Sequence, residues 1–232
     1  MTGPTAGVAG DHTASAEDYL KAIYALERGG AAAATTALAE QLGVAPASAT
    51  GMVRRLAEQG LVTHERYHGA RLTPAGRRVA LGVLRRHRVL EAYLVRALGY
   101  GWDAVHAEAE RLEHAVSDDL IDRMAAAIGA PAVDPHGAPI PDRDGTVAEG
   151  DYPTLADVAS GDAAAIVRVG DEDPGLLRYL AARALVPGAV VRVVDRAPFG
   201  GPIVLEVGGA TVQVGPALAE RLWVAHVGPP SA

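Results

Sequence analysis

The most constraining feature of the sequence is a short N-terminal segment in which helix-forming runs alternate with helix-stopping residues. Residues 35–60 read TTALAEQLGVAPASATGMVRRLAEQG, with apolar side chains at helical spacing in two runs. Gly43 ends the first run, because glycine readily adopts the left-handed conformation of a helix C-cap. Pro46 lies near the start of the second run, where its fixed φ is tolerated. The segment therefore predicts two helices joined by a tight turn.

A strand, a turn and a second strand are predicted directly after these helices. The stretch GLVTHERYHGARLTPAG has β-branched residues on both sides of a polar tip at Tyr67, His68 and Gly69. Two helices followed by such a hairpin indicate a winged helix-turn-helix over residues 14–75, a common DNA-binding module. The same helix pair also serves as a packing module between proteins, so DNA binding is a prediction at this point.

The predicted DNA-contacting residues follow from their size and charge. Short residues at the start of a recognition helix let the backbone approach base edges, whereas arginines further along suit phosphates. The first group comprises Ser48, Thr50 and Gly51, and the second comprises Arg54, Arg55, Arg66 and Arg71.

The charge distribution supports this division of roles. The net charge of −7 opposes DNA binding, but residues 1–90 carry +4 and residues 91–232 carry −11. The chain has no cysteine, which excludes disulfides and thiolate metal sites and is typical of a reducing cytoplasm. No secretion signal and no run approaching about 20 apolar residues is present, so we expect a cytoplasmic protein without a membrane partner.

A dense set of histidine and glutamate residues follows the predicted wing. Pairs four residues apart share a helix face, and the run E-x-x-E-H predicts two carboxylates and an imidazole on one face of a single helix. Carboxylates and imidazoles without sulfur favour manganese or ferrous iron, and we expect cobalt, nickel or zinc to substitute in vitro. The members of the set are His87, Glu91, His106, Glu110, Glu113 and His114.

Two other functional classes were weighed against a metal sensor. An enzyme is disfavoured because the sequence has no H-E-x-x-H, no glycine-rich phosphate loop, no G-x-S-x-G and no repeated Glu-x-x-His pair. The second alternative is a winged-helix repressor that senses an organic ligand, with the histidines and glutamates forming structural ion pairs. Titration with metal ions distinguishes this alternative from a metal sensor.

The remainder of the chain predicts a mainly α protein with a small all-β C-terminal domain. Residues 76–142 form the second predicted domain, which we expect to be helical throughout as far as residue 129. Residues 143–161 are rich in proline, glycine and aspartate and predict a linker. Residues 162–227 contain β-branched runs separated by glycine and proline, as in a small barrel, with one helix at about 174–185.

With these motifs in place, the chain resembles the diphtheria toxin repressor family of iron- and manganese-dependent repressors from about Ser15 to Val227. The resemblance implies a winged helix, a helical dimerisation and metal-binding domain and an SH3-like barrel. It also implies a homodimer that binds double-stranded operator DNA of metal-homeostasis genes once a divalent metal ion is bound. The segments that carry it are AEDYLKAIYAL, VAPASATGMVRRLAEQGLV, LTPAGRRVA, RRHRVLEAYL, HAEAERLEHAVSDDLIDRM and HGAPIP.

The resemblance further implies two metal sites. Asp18 and Glu110 stand where iron-type members carry Met and Cys, which indicates the manganese transport regulator branch. Lys21 stands where short manganese regulators carry a glutamate, so we expect two separated sites rather than one binuclear site. The primary site would be Asp18, Glu110, Glu113 and His114, and the ancillary site would be His87, Glu91 and His106 with Glu172 or its neighbour Asp173.

Overall fold

The computed structural model describes residues 12–65, 69–148, 150–170 and 173–227. The chain divides into two compact units, of which the first contains the residues up to Leu84 together with Arg143–Thr146. The second unit contains Arg85–Asp142 and the chain from Val147 onward. Within the described ranges, no helix has the length and apolar character needed to cross a bilayer.

The first unit contains the predicted helix-turn-helix. Helices α1 (Ala14–Glu27), α2 (Thr35–Gln41) and α3 (Pro46–Glu58) precede the start of α4 (Pro74–Leu98). Pro46 occupies the first turn of α3, and the glycine that ends α2 has a φ of +62°, as the sequence predicts. The helix-turn-helix prediction is therefore confirmed.

The wing is a two-stranded antiparallel hairpin of β1 (Val62–Glu65) and β2 (Gly69–Leu72). The buried carboxylate of Glu27 on α1 accepts a hydrogen bond of 2.9 Å from the backbone N–H of Leu72. This hydrogen bond satisfies the backbone amide at the end of β2 and holds the wing against α1. The tip residues at 66–68 lie outside the described residues.

The second unit is largely helical up to residue 127, as predicted, with short breaks between its helices. The rest of α4 is followed by α5 (Val105–Leu112) and α6 (Asp118–Ala127). Gly99, at a φ of +71°, terminates α4, and the hydroxyl of Ser117 caps α6 by accepting from the N–H of Leu120. The spacing of the apolar residues continues across the break between α5 and α6, which explains why the sequence does not reveal that break.

The C-terminal part of the second unit is the predicted small β domain. A single antiparallel sheet has the strand order β6-β5-β4-β3-β7, and bulges in two of its strand pairs bend it around its core. Leu155 and Val158 already pack in this core, so ordered packing begins before residue 162. Its elements are β3 (Ala163–Val169), α7 (Pro174–Ala181), β4 (Val190–Arg196), β5 (Ile203–Val207), β6 (Ala210–Val214), α8 (Pro216–Ala219) and β7 (Leu222–His226).

A turn after α6 brings backbone into close contact with strand β3. The N–H of Val169 donates to the carbonyl of His136 at 2.9 Å. Gly137 has a φ of +89°, and a Cβ built on it would lie 1.9 Å from the carbonyl oxygen of Val167. Only glycine satisfies both the conformation and the spacing here. The contact connects the helical part of the second unit to the barrel.

We predict that Gly137→Ala destabilises the protein by more than about 2 kcal/mol, because strain at positive φ adds to a backbone clash. Gly161→Ala is the matched control, since Gly161 has a φ of +93° but open space around its Cβ position. The measurement is chemical unfolding of both variants and the wild type. Equal losses in the two variants would contradict the importance of the close approach.

Candidate metal centre

The predicted ligands are divided between the two units. Asp18 is half-buried on α1 of the first unit, whereas His87, Glu91 and His106 lie in the second unit on α4 and α5. The imidazole of His87 and the carboxylate of Glu91 are almost completely removed from solvent. Glu172 lies outside the described residues.

The E-x-x-E-H run does not lie on one helix face, so that expectation is wrong. Helix α5 ends at Leu112, Glu113 is its C-cap residue, and His114 belongs to the following turn. The chain must turn here because α6 begins only a few residues later. Arg86 donates from Nε to the carbonyl of Glu113 at 2.8 Å, which satisfies an oxygen that the helix end leaves without an internal partner.

The three acidic and imidazole groups of this run consequently occupy different surroundings. The buried carboxylate of Glu113 places Oε1 at 3.3 Å from Nε2 of His114. Glu110 remains 45% exposed, and its Oε1 lies 3.8 Å from Nε2 of His106. The structure thus pairs Glu113 with His114 and Glu110 with His106.

Three imidazoles surround the carboxylate of Glu91, of which those of His87 and His136 are buried. Its Oε1 lies 3.0 Å from Nε2 of His87 and 3.2 Å from Nδ1 of His106. Its Oε2 lies 3.8 Å from Nδ1 of His136, a distance longer than a hydrogen bond. Burial acts to raise the pKa of Glu91, but the charge of His87 and the contacts with the three histidines outweigh it and hold the pKa well below its usual value.

A third group of possible ligands was missed by the sequence analysis. Glu91, Asp134 and His136 are buried, and one donor atom from each lies within 4.8 Å of the other two. We call this group the buried cluster. Its sequence signal was the aspartate two residues before the histidine of HGAPIP, a segment to which the sequence analysis assigned no ligand.

Local hydrogen bonds explain how the buried cluster is built. Asp134 accepts with Oδ1 from the N–H groups of His136 and Ala138, at 2.8 and 3.0 Å, in the manner of an Asx turn. The ring of His136 uses Nε2 to contact the carbonyl of Trp102 at 2.8 Å and stacks on the indole. One oxygen of Asp134 and one nitrogen of His136 are therefore used in building the turn.

The remaining atoms of the buried cluster have no hydrogen-bond partner among the described residues. They are Oε2 of Glu91, Oδ2 of Asp134 and Nδ1 of His136. A buried polar atom without a hydrogen bond typically costs about 1–3 kcal/mol, and here Arg88 lies 3.6 Å from Oδ2 of Asp134 while Oε2 of Glu91 and Nδ1 of His136 lie 3.8 Å apart. Two carboxylate oxygens and an imidazole nitrogen are donors that suit manganese or ferrous ions.

The electrostatics of the buried cluster reflect two acids and one imidazole packed together away from solvent. Burial, followed by the charge of Glu91, raises the pKa of Asp134 to about 6, although Arg88 at 3.6 Å opposes the shift. Burial acts to lower the pKa of His136, but the neighbouring Glu91 carboxylate outweighs it and raises the pKa to about 9. Without a metal ion, a proton on His136 therefore partly balances the two acids.

The predicted DNA-contacting residues of α3 all lie on its exposed side. Ala49, Val53 and Leu56 are buried on the opposite side, which fixes the orientation of the helix in the first unit. The exposed residues are Ser48, Thr50, Gly51, Arg54 and Arg55.

The other two predicted DNA contacts lie in the wing. Arg71 is exposed on β2 and donates to the carbonyl of Gly30 at 3.3 Å, whereas Arg66 lies outside the described residues. In the barrel, Asp173 uses Oδ1 to cap α7, accepting from the N–H groups of Gly175 and Leu176. That cap gives Asp173 a structural role at the start of a helix.

Three family models match successive parts of the chain. The iron-dependent repressor N-terminal DNA-binding domain matches residues 11–70. The iron-dependent repressor metal-binding and dimerisation domain matches residues 73–142, and the FeoA domain matches residues 154–226.

Two similar proteins are described as a repressor and as a transcriptional regulator. The chain is 31% identical over 223 residues to the iron-dependent repressor IdeR of Mycobacterium leprae (strain TN), covering 91% of this chain and 96% of that protein. It is 36% identical over 113 residues to the HTH-type transcriptional regulator MntR of Lysinibacillus sphaericus (strain C3-41), covering 49% of this chain and 81% of the relative.

Solved structures of repressors also match most of the chain. One described as a manganese-dependent transcriptional repressor in complex with manganese is 43% identical, with a TM-score of 0.84, and the match covers 91% of this chain and 100% of the other. A structure of ScaR with bound Cd²⁺ is 30% identical with a TM-score of 0.79, covering 91% and 99% respectively.

We predict that the stability of the metal-free protein falls as His136 loses its proton. Because the pKa is raised from 6.5 to about 9 in the folded state, the stabilisation is complete below 6.5 and is lost as the pH rises through about 9. Between about pH 7 and pH 10, the loss should be roughly 2–3 kcal/mol. The measurement is urea unfolding with chelator present, compared with His136→Gln. Parallel pH profiles for the two proteins would contradict a protonated His136.

Proposed function

The chain belongs to the family of iron- and manganese-dependent transcription repressors, and we propose that it is a manganese-responsive member that controls metal-homeostasis genes. As a member of this family, it is a metal-dependent DNA-binding repressor and not a sensor of an organic ligand. The choice of manganese rests on the family resemblance, in which Asp18 and Glu110 stand where iron-type members carry Met and Cys, and the oxygen and nitrogen donors of the buried cluster suit such an ion. Ferrous iron uses similar donors and is the second candidate.

We place one cation at Glu91, Asp134 and His136. The ancillary set predicted from the sequence, His87, Glu91 and His106, shares Glu91 with it and remains an alternative. The buried cluster is favoured because three of its donor atoms have no hydrogen-bond partner among the described residues, although Oδ2 of Asp134 lies 3.6 Å from Nε of Arg88. A bound divalent cation would add to the positive charge that Arg88 and a protonated His136 bring to the two buried acids.

We place the other cation in the primary site, defined as Asp18, Glu110, Glu113 and His114. The contact between Glu113 and His114 supports this assignment, and the inclusion of Asp18 and Glu110 rests on the sequence resemblance. Asp18 belongs to the unit that carries the recognition helix, whereas the other three belong to the unit that carries the dimerisation domain. Ligation by both units would fix the recognition helix relative to the dimer.

Because the repressor binds DNA as a dimer, restraining the recognition helix would change operator affinity. In a homodimer the two recognition helices must match half-sites separated by about one or more helical turns, so their spacing determines operator affinity. Leu98, Tyr100 and Leu120 are large apolar residues that are exposed in the single chain and lie in the segment that matches the dimerisation domain. We propose that they contribute to the dimer contact.

The proposed role is one of regulated binding without catalysis. The exposed face of α3 would read the major groove, and its arginines would contact phosphates. Because the operator DNA of such a repressor lies in the cytoplasm, we assign the protein to that compartment.

We predict that Asp18→Ala lowers manganese-dependent operator affinity by at least about tenfold, since a lost ligand weakens the restraint on the DNA-binding unit. Lys21→Ala, one turn further along α1, is the matched control and should retain the response. The metal-stripped proteins would be titrated with manganese, ferrous iron and zinc on an operator selected from random DNA. Normal manganese activation of Asp18→Ala would refute the primary site, and DNA binding of the wild type that ignores every metal would refute the proposed function.

Glu110→Cys tests the basis of metal choice at the primary site. Thiolate is a softer ligand than carboxylate, so the variant should respond more strongly to ferrous iron relative to manganese than the wild type does. The same DNA titration ranks the two ions under anaerobic conditions, with Glu108→Cys on the same helix as the control. An unchanged ranking in Glu110→Cys would exclude Glu110 as a ligand that selects the metal.

A further inference from the structure

The exposed side of α3 contains a glycine that the protein's own fold does not require. Gly51 lies near the middle of the helix, in ordinary helical backbone. Apart from its chain neighbours and the backbone of its own helix, a Cβ built on it would meet no described atom within 4 Å. Glycine inside a helix is less stable than alanine, because it loses more backbone freedom on folding. A glycine that costs stability without serving internal packing indicates that a ligand approaches the backbone here.

Gly51 lines a depression in the exposed side of α3. The depression has a volume of about 450 Å³, and the exposed Arg54 and Arg55 stand at it, one helical turn after Thr50 and Gly51. Arginines in this position suit the phosphates beside a groove, whereas the depression next to them admits a base edge. The lining residues are Ser48, Gly51, Met52, Arg54, Arg55 and Glu58.

The hydroxyl of Thr50, next to Gly51, has its proton engaged within the helix itself. Its Oγ1 donates to the carbonyl of Pro46 at 3.0 Å. With that proton engaged, the side chain offers a base only its methyl group and the lone pairs of the hydroxyl oxygen. Thr50 can therefore pack against a methyl group and accept a hydrogen bond from an amino group, but it cannot donate to a base acceptor.

These properties match one kind of base pair. In the major groove an A·T pair displays the adenine amino group and the thymine methyl group, whereas a G·C pair displays the cytosine amino group and no methyl group. We propose that Thr50 and Gly51 are specificity-determining residues of α3 that select an A·T base pair in each half-site through the thymine methyl group. Gly51 lets the helix approach, and Thr50 supplies the complementary surface. This inference rests on the proposed function, because it takes the exposed side of α3 to lie in the major groove of operator DNA.

The first test separates the thymine methyl group from every other property of the base pair. The manganese-loaded full-length protein would be titrated on its selected operator, in which each thymine of one half-site is replaced in turn by uracil. We expect one position at which the wild type loses about three- to fivefold in affinity. This loss should vanish in Thr50→Ser, which keeps the hydroxyl and lacks the methyl group. Thr211→Ser, at an exposed threonine on β6 of the second unit, is the matched control and should keep the uracil effect.

The outcomes separate this inference from the proposed function. If no uracil position weakens binding by the wild type, or if every such loss persists undiminished in Thr50→Ser, Thr50 does not read a thymine methyl group and the inference is overturned. If Thr211→Ser abolishes the uracil effect as well, the effect is not specific to Thr50 and the inference is likewise overturned. A wild type whose DNA binding is absent or ignores every metal overturns the proposed function itself.

A second test uses the opposite effects that Gly51→Ala should have on stability and on DNA binding. Alanine is the better helix former, so the midpoint of thermal unfolding should rise by roughly 1–4 °C. The added methyl group should hold the helix away from the bases and lower operator affinity by at least about tenfold. Gly82→Ala is the matched control, because Gly82 lies within α4 and a Cβ there would also meet nothing within 4 Å, so this variant should gain stability and keep its affinity. Full operator affinity in Gly51→Ala, or an equal loss of affinity in Gly82→Ala, would overturn the role of Gly51.

Discussion

The second unit is organised around a carboxylate that is completely removed from water. Glu91 lies on α4 with 0% of its surface exposed, and an isolated charge in such a place would cost several kcal/mol. Histidines from α4, from α5 and from the turn after α6 surround it. Because one acid needs partners from three parts of the chain, it fixes the positions of the two later segments relative to the helix.

The same requirement connects the helical part of this unit to the barrel. The turn that contains His136 presents its side chain to Glu91, while the backbone of the turn contacts strand β3. Gly137 permits this approach because its missing side chain leaves room for a carbonyl of the strand. A cation held by the turn would therefore affect the surroundings of the barrel as well as those of α4.

Regulation follows from the way in which acidic ligands are shared among segments. Carboxylates that repel one another are costly to assemble, and a divalent ion lowers that cost only if the segments come together. In the proposed mechanism, metal binding to the acidic second half of the chain would control DNA binding by the basic first half. The residues of α3 proposed to contact DNA are exposed in the single chain, so in the proposed mechanism metal binding would act on the placement of that face in the dimer.

Much of this could be predicted from the sequence because the relevant signals are local. Gly43 marks the end of α2 and Pro46 marks the start of α3, and β-branched runs mark most of the barrel strands. The break between α5 and α6 was missed because apolar spacing continues across it. That error placed Glu113 and His114 on a helix that has already ended.

The buried cluster was missed for a different reason. Asp134 lies some forty residues after Glu91 in a segment rich in proline and glycine, where periodicity carries no information. The importance of Asp134 depends on its burial and on which of its two carboxylate oxygens accepts hydrogen bonds within the turn. Neither property can be read from residue types, because both arise from the packing of the turn against α4 and the barrel.

The most direct measurement is an anomalous diffraction map of crystals of the full-length chain grown with manganese. We predict two manganese peaks for each chain. One should lie among Oε2 of Glu91, Oδ2 of Asp134 and Nδ1 of His136, and the other beside Glu113 and His114. A map with no peak at the three unpartnered atoms, under conditions in which manganese activates DNA binding, would contradict the central claim that they form a cation site.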